Sequence, residues 1–121
     1  MKILLVDDDQ ELTSFLSMEL EDMGHFIEVA NDGISGKDLA LKKPYDVIIL
    51  DLMLPGTDGH SICRNLRENH VITPVLMISS LNSNKEIQAG FSAGANDYMV
   101  KPFHFDELYD KIIMLENKYK S

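Results

Sequence analysis

The stretch Val47-Ile48-Ile49-Leu50-Asp51-Leu52-Met53-Leu54-Pro55-Gly56 decides how the rest of the chain is arranged. Val47 to Leu50 are four consecutive apolar residues, three of them β-branched. Such a run reads as a strand buried on both faces. It ends in a carboxylate, and Pro55-Gly56 then turns the chain. Asp51 therefore stands at the carboxyl end of a central strand, where open α/β sheets bind ligands and do chemistry.

Outward from this strand, the same pattern repeats. Ile3-Leu4-Leu5-Val6 is a second buried run, ending in Asp7-Asp8-Asp9. A helical stripe follows through Leu12, Phe15, Leu16, Leu20 and Met23, and Gly24 sits where a C-cap glycine belongs. Phe26 to Ala30, with one polar interruption, predicts a strand nearer an edge. Asn31-Asp32-Gly33 turns into a helix through Ile34 and Leu41 that stops before Pro44. Beyond the central strand, Asp58-Gly59 opens a helix with Ile62, Cys63 and Leu66 inward. Pro74 introduces Val75-Leu76-Met77-Ile78, ending in Ser79-Ser80. Asn82 or Ser83 caps a thinly striped fourth helix that contains Gly90 and ends at Gly94. Tyr98-Met99-Val100 is a short strand before Lys101-Pro102, and Asp106 starts a last helix with Phe105, Leu108, Ile112, Leu115 and Tyr119 on one side. The tail Glu116–Ser121 is polar and reads as the start of a linker. Five strands alternating with five helices predict a doubly wound parallel α/β sheet in one domain, 1–121.

Composition narrows the function. A net charge of −9, from 11 basic and 20 acidic residues, argues against contact with nucleic acid by this domain itself. The one cysteine, Cys63, allows no internal disulfide, fits a reducing cytoplasm and reads as an inert helix residue. No apolar run approaches the roughly 18 residues of a membrane span. Met1-Lys2-Ile3 leads straight into a strand, so no signal peptide is expected.

The strand ends carry, in order, Asp7 and Asp8, Asp51, Ser79 and Lys101. If those strands adjoin, three carboxylates share one small site and need a cation to stay ionised together. An oxygen-only cluster suits Mg²⁺. His25, His60, His70 and His104 are scattered, lack zinc-ligand spacing and read as surface histidines. A carboxylate beside Mg²⁺, a lysine and a hydroxyl is a phosphoryl-transfer site. Asp51 would be the nucleophile, Lys101 would offset charge on the phosphoryl oxygens and Ser79 would hydrogen-bond one of them. Pro102 after Lys101 would aim the lysine through a rigid, cis-capable bond.

These residues resemble the receiver domain of bacterial two-component response regulators. The resemblance runs from Lys2 to about Lys118 and rests on five motifs in order: Leu4-Leu5-Val6-Asp7-Asp8-Asp9, Asp51 to Gly59, Ile78-Ser79-Ser80, Ala93-Gly94-Ala95-Asn96-Asp97-Tyr98 and Lys101-Pro102-Phe103. It implies a flavodoxin-like sheet of order 2-1-3-4-5. It also implies that Asp51 is the phosphoryl acceptor and that Asp8, Asp51 and the backbone carbonyl of Met53 hold Mg²⁺, with Asp7 acting through a water. Ser79 would be the switch hydroxyl, Tyr98 the switch aromatic and Lys101 the phosphate partner. Asp9 is given no ligand role. The donor would be a phosphohistidine on a sensor histidine kinase. The domain would catalyse only its own phosphorylation and dephosphorylation and would control an output domain, beyond its carboxyl end, that regulates transcription.

Wording such as Leu52-Met53-Leu54-Pro55-Gly56 most resembles receivers of winged-helix transcription factors. That subfamily forms a homodimer through its fourth helix, fifth strand and fifth helix, which places Ile87, Asp97, Glu107, Lys111 and Lys118 on the expected dimer face. Asp97 and Lys111 are the expected ion pair across the two-fold axis. Ile87 stands where the subfamily has a basic residue, and Asn96 where it has an acid. On phosphorylation, Ser79 would move toward a phosphoryl oxygen and Tyr98 would turn inward, altering this face.

Three other readings are weaker. A phosphatase of the haloacid-dehalogenase type needs an acid/base two residues after the nucleophile, where Met53 stands. A flavodoxin-like flavin carrier needs a phosphate cradle, which Asp7-Asp8-Asp9 would repel. A receiver-like scaffold that is never phosphorylated would not require the intact acidic site.

Overall fold

Val47–Asp51 forms β3, buried along its whole length, as a strand of alternating destinations. Ile48 and Leu50 point into one core, Val47 and Ile49 into the other. The computed structural model describes residues 1–119. Around β3 the chain runs β1 (Lys2–Val6), α1 (Gln10–Asp22), β2 (Phe26–Ala30), α2 (Gly33–Lys42), α3 (Gly59–Glu68), β4 (Val75–Ser79), α4 (Asn84–Ser92), β5 (Asp97–Val100) and α5 (Phe105–Tyr119). The sheet is parallel throughout, in the order β2-β1-β3-β4-β5. Side chains of α2, α3 and α4 join the core on one face, and those of α1 and α5 the core on the other. β2 is an edge strand with Phe26 exposed, as its interrupted pattern predicts. Among the described residues no helix is long and apolar enough to cross a membrane.

Four helices start with a side-chain cap. Asp9, Asp32, Asp58 and Ser83 accept from the backbone N–H of Leu12, Ser35, Ser61 and Glu86. Each satisfies an otherwise orphaned donor of the first turn. The third residue of the acidic run is thus accounted for: Asp9 is a helix cap.

Several expectations need correction at the margins. In α1 only Leu16 and Leu20 of the apolar stripe are buried, while Phe15 and Met23 are exposed. Phe15 instead meets Phe105 edge-on, with ring centroids 6.4 Å apart. In α2, Ile34 and Leu41 face outward, and Gly33, Gly36 and Ala40 face the core. The helix lies so close to β1 that a Cβ on Gly36 would sit 2.5 Å from Val6 Cγ1. Residues Glu116–Tyr119 continue α5 rather than starting a linker, and Tyr119 is exposed; Lys120 and Ser121 lie outside the described residues. His25 is not a free surface histidine. Its Nδ1 accepts from the Met1 amine at 2.9 Å, which leaves Nε2 to donate to the Tyr109 hydroxyl at 2.8 Å. Burial, then the nearby amine, lowers its pKa and keeps the ring neutral.

Arg67, at the end of α3, ties the amino-terminal edge of the sheet together. Its Nη1 donates to Val71 O and Thr73 O, both at 2.8 Å. Its Nε and Nη2 donate to Gly94 O at 3.1 and 2.9 Å, and Nη2 also donates to Asn96 Oδ1 at 2.8 Å. All five guanidinium protons are used. Asn96 Oδ1 also accepts from Val75 N at 2.8 Å, so a neutral amide oxygen does here what an acid would do elsewhere. Arg67→Ala should destabilise the domain by about 3 kcal/mol, because it strands several part-buried acceptors at once. Arg67→Lys should recover only part of that, since an ammonium has three donors and no fork. Urea unfolding measures both; an Arg67→Ala loss below about 1 kcal/mol would contradict the clamp.

Candidate functional site

The parallel order brings the strand ends together. Val6 is level with Leu50 across β1 and β3, so Asp7 lies beside Asp51. Asp51 is level with Ile78 across β3 and β4, which places Ser79 at the same edge. Lys101 follows β5 and reaches back across the edge, its N–H donating to Ser79 O at 2.8 Å. The Lys101-Pro102 bond is cis.

Asp7 is fully buried and Asp51 is 5% exposed, whereas Asp8 is exposed. Carboxylate oxygens of the three lie within 4.8 Å of one another. Lys101 Nζ is 2.8 Å from Asp7 Oδ2 and 3.4 Å from Asp51 Oδ2. Asp7 Oδ1 also accepts from Asp9 N at 2.9 Å, so both of its oxygens are engaged. Asp51 is held more loosely, its Oδ1 accepting from Met53 N at 3.4 Å. Of the two buried carboxylates, Asp51 has the longer contact at each oxygen.

The electrostatics follow. Burial, then the charge of Asp7, pushes the Asp51 carboxyl up to about 6, against the opposing pull of Lys101. Burial works against the Lys101 ammonium, but the Asp7 and Asp51 carboxylates hold its pKa above the usual value, so it stays charged. Three carboxylates face one ammonium, and this unbalanced, oxygen-only set can hold a metal cation.

The residues expected to act as the switch, Ser79 and Tyr98, sit on the next strands. Ser79 is buried, and its Oγ accepts from Leu81 N at 3.1 Å. The Tyr98 hydroxyl donates to Leu81 O at 2.7 Å. Tyr98 is 8% exposed, so the inward turn expected on phosphorylation is already made in this structure.

On the expected dimer face the residues are occupied locally. Lys111 Nζ lies 3.0 Å from Asp97 Oδ2, so within one chain this ion pair joins α5 to β5. Ile87 is half-buried against the core of that face. Glu107 Oε1 accepts from His104 N at 3.3 Å at the start of α5, and Lys118 Nζ lies 5.5 Å from the Tyr119 ring. Three contributors were not singled out in the sequence. Asn31 donates to Asp7 O at 2.9 Å and to Thr13 Oγ1 at 3.2 Å, and so braces the acidic loop. Thr13 is buried beneath it. Leu81 bridges Ser79 and Tyr98 through its peptide groups.

Fold and site together define a class: a flavodoxin-like α/β domain with an acidic, metal-competent pocket closed by a lysine at the carboxyl edge of its sheet. Residues 3–113 match the family described as the response regulator receiver domain, and the chain belongs to that family. It is 44% identical over 110 residues to the response regulator ArlR of Staphylococcus epidermidis, covering 91% of this chain and 50% of that protein. It is 37% identical over 117 residues to the transcriptional regulatory protein TcrA of Mycobacterium tuberculosis, covering 97% and 46%. The chain therefore spans about half the length of the curated relatives it matches. Among solved structures it superposes on the Francisella response regulator 1452 receiver domain with a TM-score of 0.94 at 36% identity, covering 98% of each chain. It also superposes on the BeF3-activated receiver domain of Klebsiella pneumoniae RstA, with a TM-score of 0.89 at 28% identity, covering 96% and 98%.

The raised Asp51 pKa sets a pH dependence. Its folded pKa of about 6 lies above the ordinary aspartate value of about 3.9, so the folded state binds the extra proton. Stability from this group is present below pH ~4 and is lost as pH rises through ~6. Without metal, Asp51→Asn should therefore be more stable than the native protein at pH 7, by on the order of 1 kcal/mol after solvent screening. The gap should close toward pH 4. Denaturant titrations at the two pH values measure it, and a gap that widens in acid would refute the assignment.

Proposed function

We propose that this domain is a phosphorylation-dependent signalling switch in which Asp51 accepts a phosphoryl group from a phosphohistidine of a sensor histidine kinase. One observation carries the reading: a buried, loosely bonded carboxylate converges with two others and an ammonium at one strand edge. An Asp51 oxygen attacks phosphorus, the N–P bond of the phosphoimidazole breaks, and its electron pair returns to the imidazole nitrogen. Lys101, already 3.4 Å from Asp51 Oδ2, offsets charge on a phosphoryl oxygen. Ser79 accepts from Leu81 N and keeps its own proton to donate to another.

The donor set fits Mg²⁺, because it is made of oxygens alone and carries excess negative charge. Asp8, Asp51 and the Met53 carbonyl would hold the ion, and Asp7, whose two oxygens are the more tightly bonded, would act through a water. When bound, Mg²⁺ neutralises charge on the phosphoryl oxygens.

The domain catalyses only its own phosphorylation and dephosphorylation. The exposed Met53 side chain offers no second acid/base for turnover of another substrate. The outcome is a change on the face of α4, β5 and α5 that controls an output, transcription being the reading that fits the name of TcrA. Phosphorylation would promote a homodimer there. With Asp97 and Lys111 paired in the chain, the exposed Phe91 and the half-buried Ile87 supply the association. The net charge of −9 leaves nucleic-acid contact to an output domain.

Treatment with acetyl phosphate and Mg²⁺ should add one phosphoryl mass to the intact native protein and none to Asp51→Asn. Full labelling of that variant, or no labelling of the native protein, would overturn the reading. The phosphoryl group should persist well beyond seconds, since the apolar side chains of Met53 and Leu81 cannot orient a hydrolytic water. Met53→Glu should change the decay rate, which phosphate release measures; decay of the native protein within seconds would contradict this.

A further inference from the structure

We propose that Gly90 on α4 is a positioning residue for the switch: its missing side chain leaves the notch in which Tyr98 sits inward before any phosphoryl group arrives. The inference rests on the reading of Asp51 and Ser79 given above.

Gly90 is a costly residue where it stands. It lies in the interior of the nine-residue α4, where glycine is about 1 kcal/mol worse than alanine. Its backbone does not require glycine, for the positive-φ glycines are Gly24, Gly56 and Gly94. What requires it is space. A Cβ on Gly90 would lie 3.0 Å from Met77 Sδ, 3.0 Å from Tyr98 Cδ2 and 3.3 Å from Tyr98 Cε2. Met77 is wholly buried in β4, with no path to solvent. Tyr98 is on β5, the edge strand, and its ring can rotate out to solvent. A side chain at position 90 would crowd both, and of the two the tyrosine is the one with a way out to solvent.

The ring's position reaches the phosphate site through one residue. The Tyr98 hydroxyl donates to Leu81 O, and Leu81 N donates to Ser79 Oγ. Burial raises the Tyr98 pKa, so the phenol remains a donor. With the ring seated, the loop between β4 and α4 is held from both sides, and Ser79 is already placed with its proton free. A ligand that needs this arrangement then binds without first having to create it.

The test uses tyrosine-labelled protein and beryllofluoride with Mg²⁺ as the stand-in for a bound phosphoryl group. In the unliganded native protein, Tyr98 ring resonances should be displaced from solvent values by packing. In Gly90→Ala they should move toward solvent values. If the seated fraction falls to about a tenth, apparent beryllofluoride affinity falls about tenfold. In a Tyr98→Ala background, Gly90→Ala should leave the affinity unchanged, because no ring remains to displace. A solvent-exposed Tyr98 in the unliganded native protein would overturn the proposal. So would Gly90→Ala with unaltered ring resonances and affinity, or an equal affinity loss in the Tyr98→Ala background. A native protein that fails to bind beryllofluoride would instead defeat the phosphoacceptor reading, while the ring resonances still decide the role of Gly90.

Discussion

Two carboxylates, Asp7 and Asp51, are buried side by side, and the Lys101 ammonium lies between them. Burying like charges is unfavourable, and the pair stays ionised only through a cation within reach. The rest of the fold supplies that contact. β1 must neighbour β3 to bring the aspartates together, and this parallel adjacency requires a crossover through α1, β2 and α2. Lys101 must come from two strands further along and be turned back over the edge. The tighter bond to Asp7 leaves Asp51 the less satisfied partner.

The two ends of the sheet divide the work. At the amino-terminal edge, Arg67 binds carbonyls of the loops before β4 and β5, and the Met1 amine, His25 and Tyr109 join β1, the α1–β2 loop and α5. These contacts are neutral acceptors filled by well-placed donors, so they favour one geometry. At the carboxyl edge the groups are charged and unbalanced, and the loops are held by helix caps and single hydrogen bonds.

Much of this was legible in the chain, and for a physical reason. A strand buried on both faces must be apolar throughout, so the run before Asp51 could hardly be anything else, and polar strand ends then marked the edge. The interrupted β2 pattern gave its edge position in the same way. What stayed hidden were contacts without local pattern. Arg67 bonds mainly to carbonyls, which every residue has. Asp97 and Lys111 were paired from the sequence, but that they meet within one chain shows only when α5 is laid beside β5. Phe15 and Ile34 fell on apolar stripes, but stripe spacing says which side of a helix faces inward, not how wide the contact is.

Glycine shows most clearly why sequence and structure must be read together. Gly36 and Gly90 both lie in helices packed on the same face of the sheet, and both lower helix propensity in the same way. A Cβ on Gly36 would strike Val6, fully enclosed in β1, so that position fixes a packing distance and nothing else. On Gly90 it would strike a ring on the edge strand, one hydrogen-bonded residue away from Ser79. The same missing atom is structural where its neighbour is trapped and regulatory where its neighbour has a way out. That difference depends on strand order, which places β1 inside the sheet and β5 at its edge.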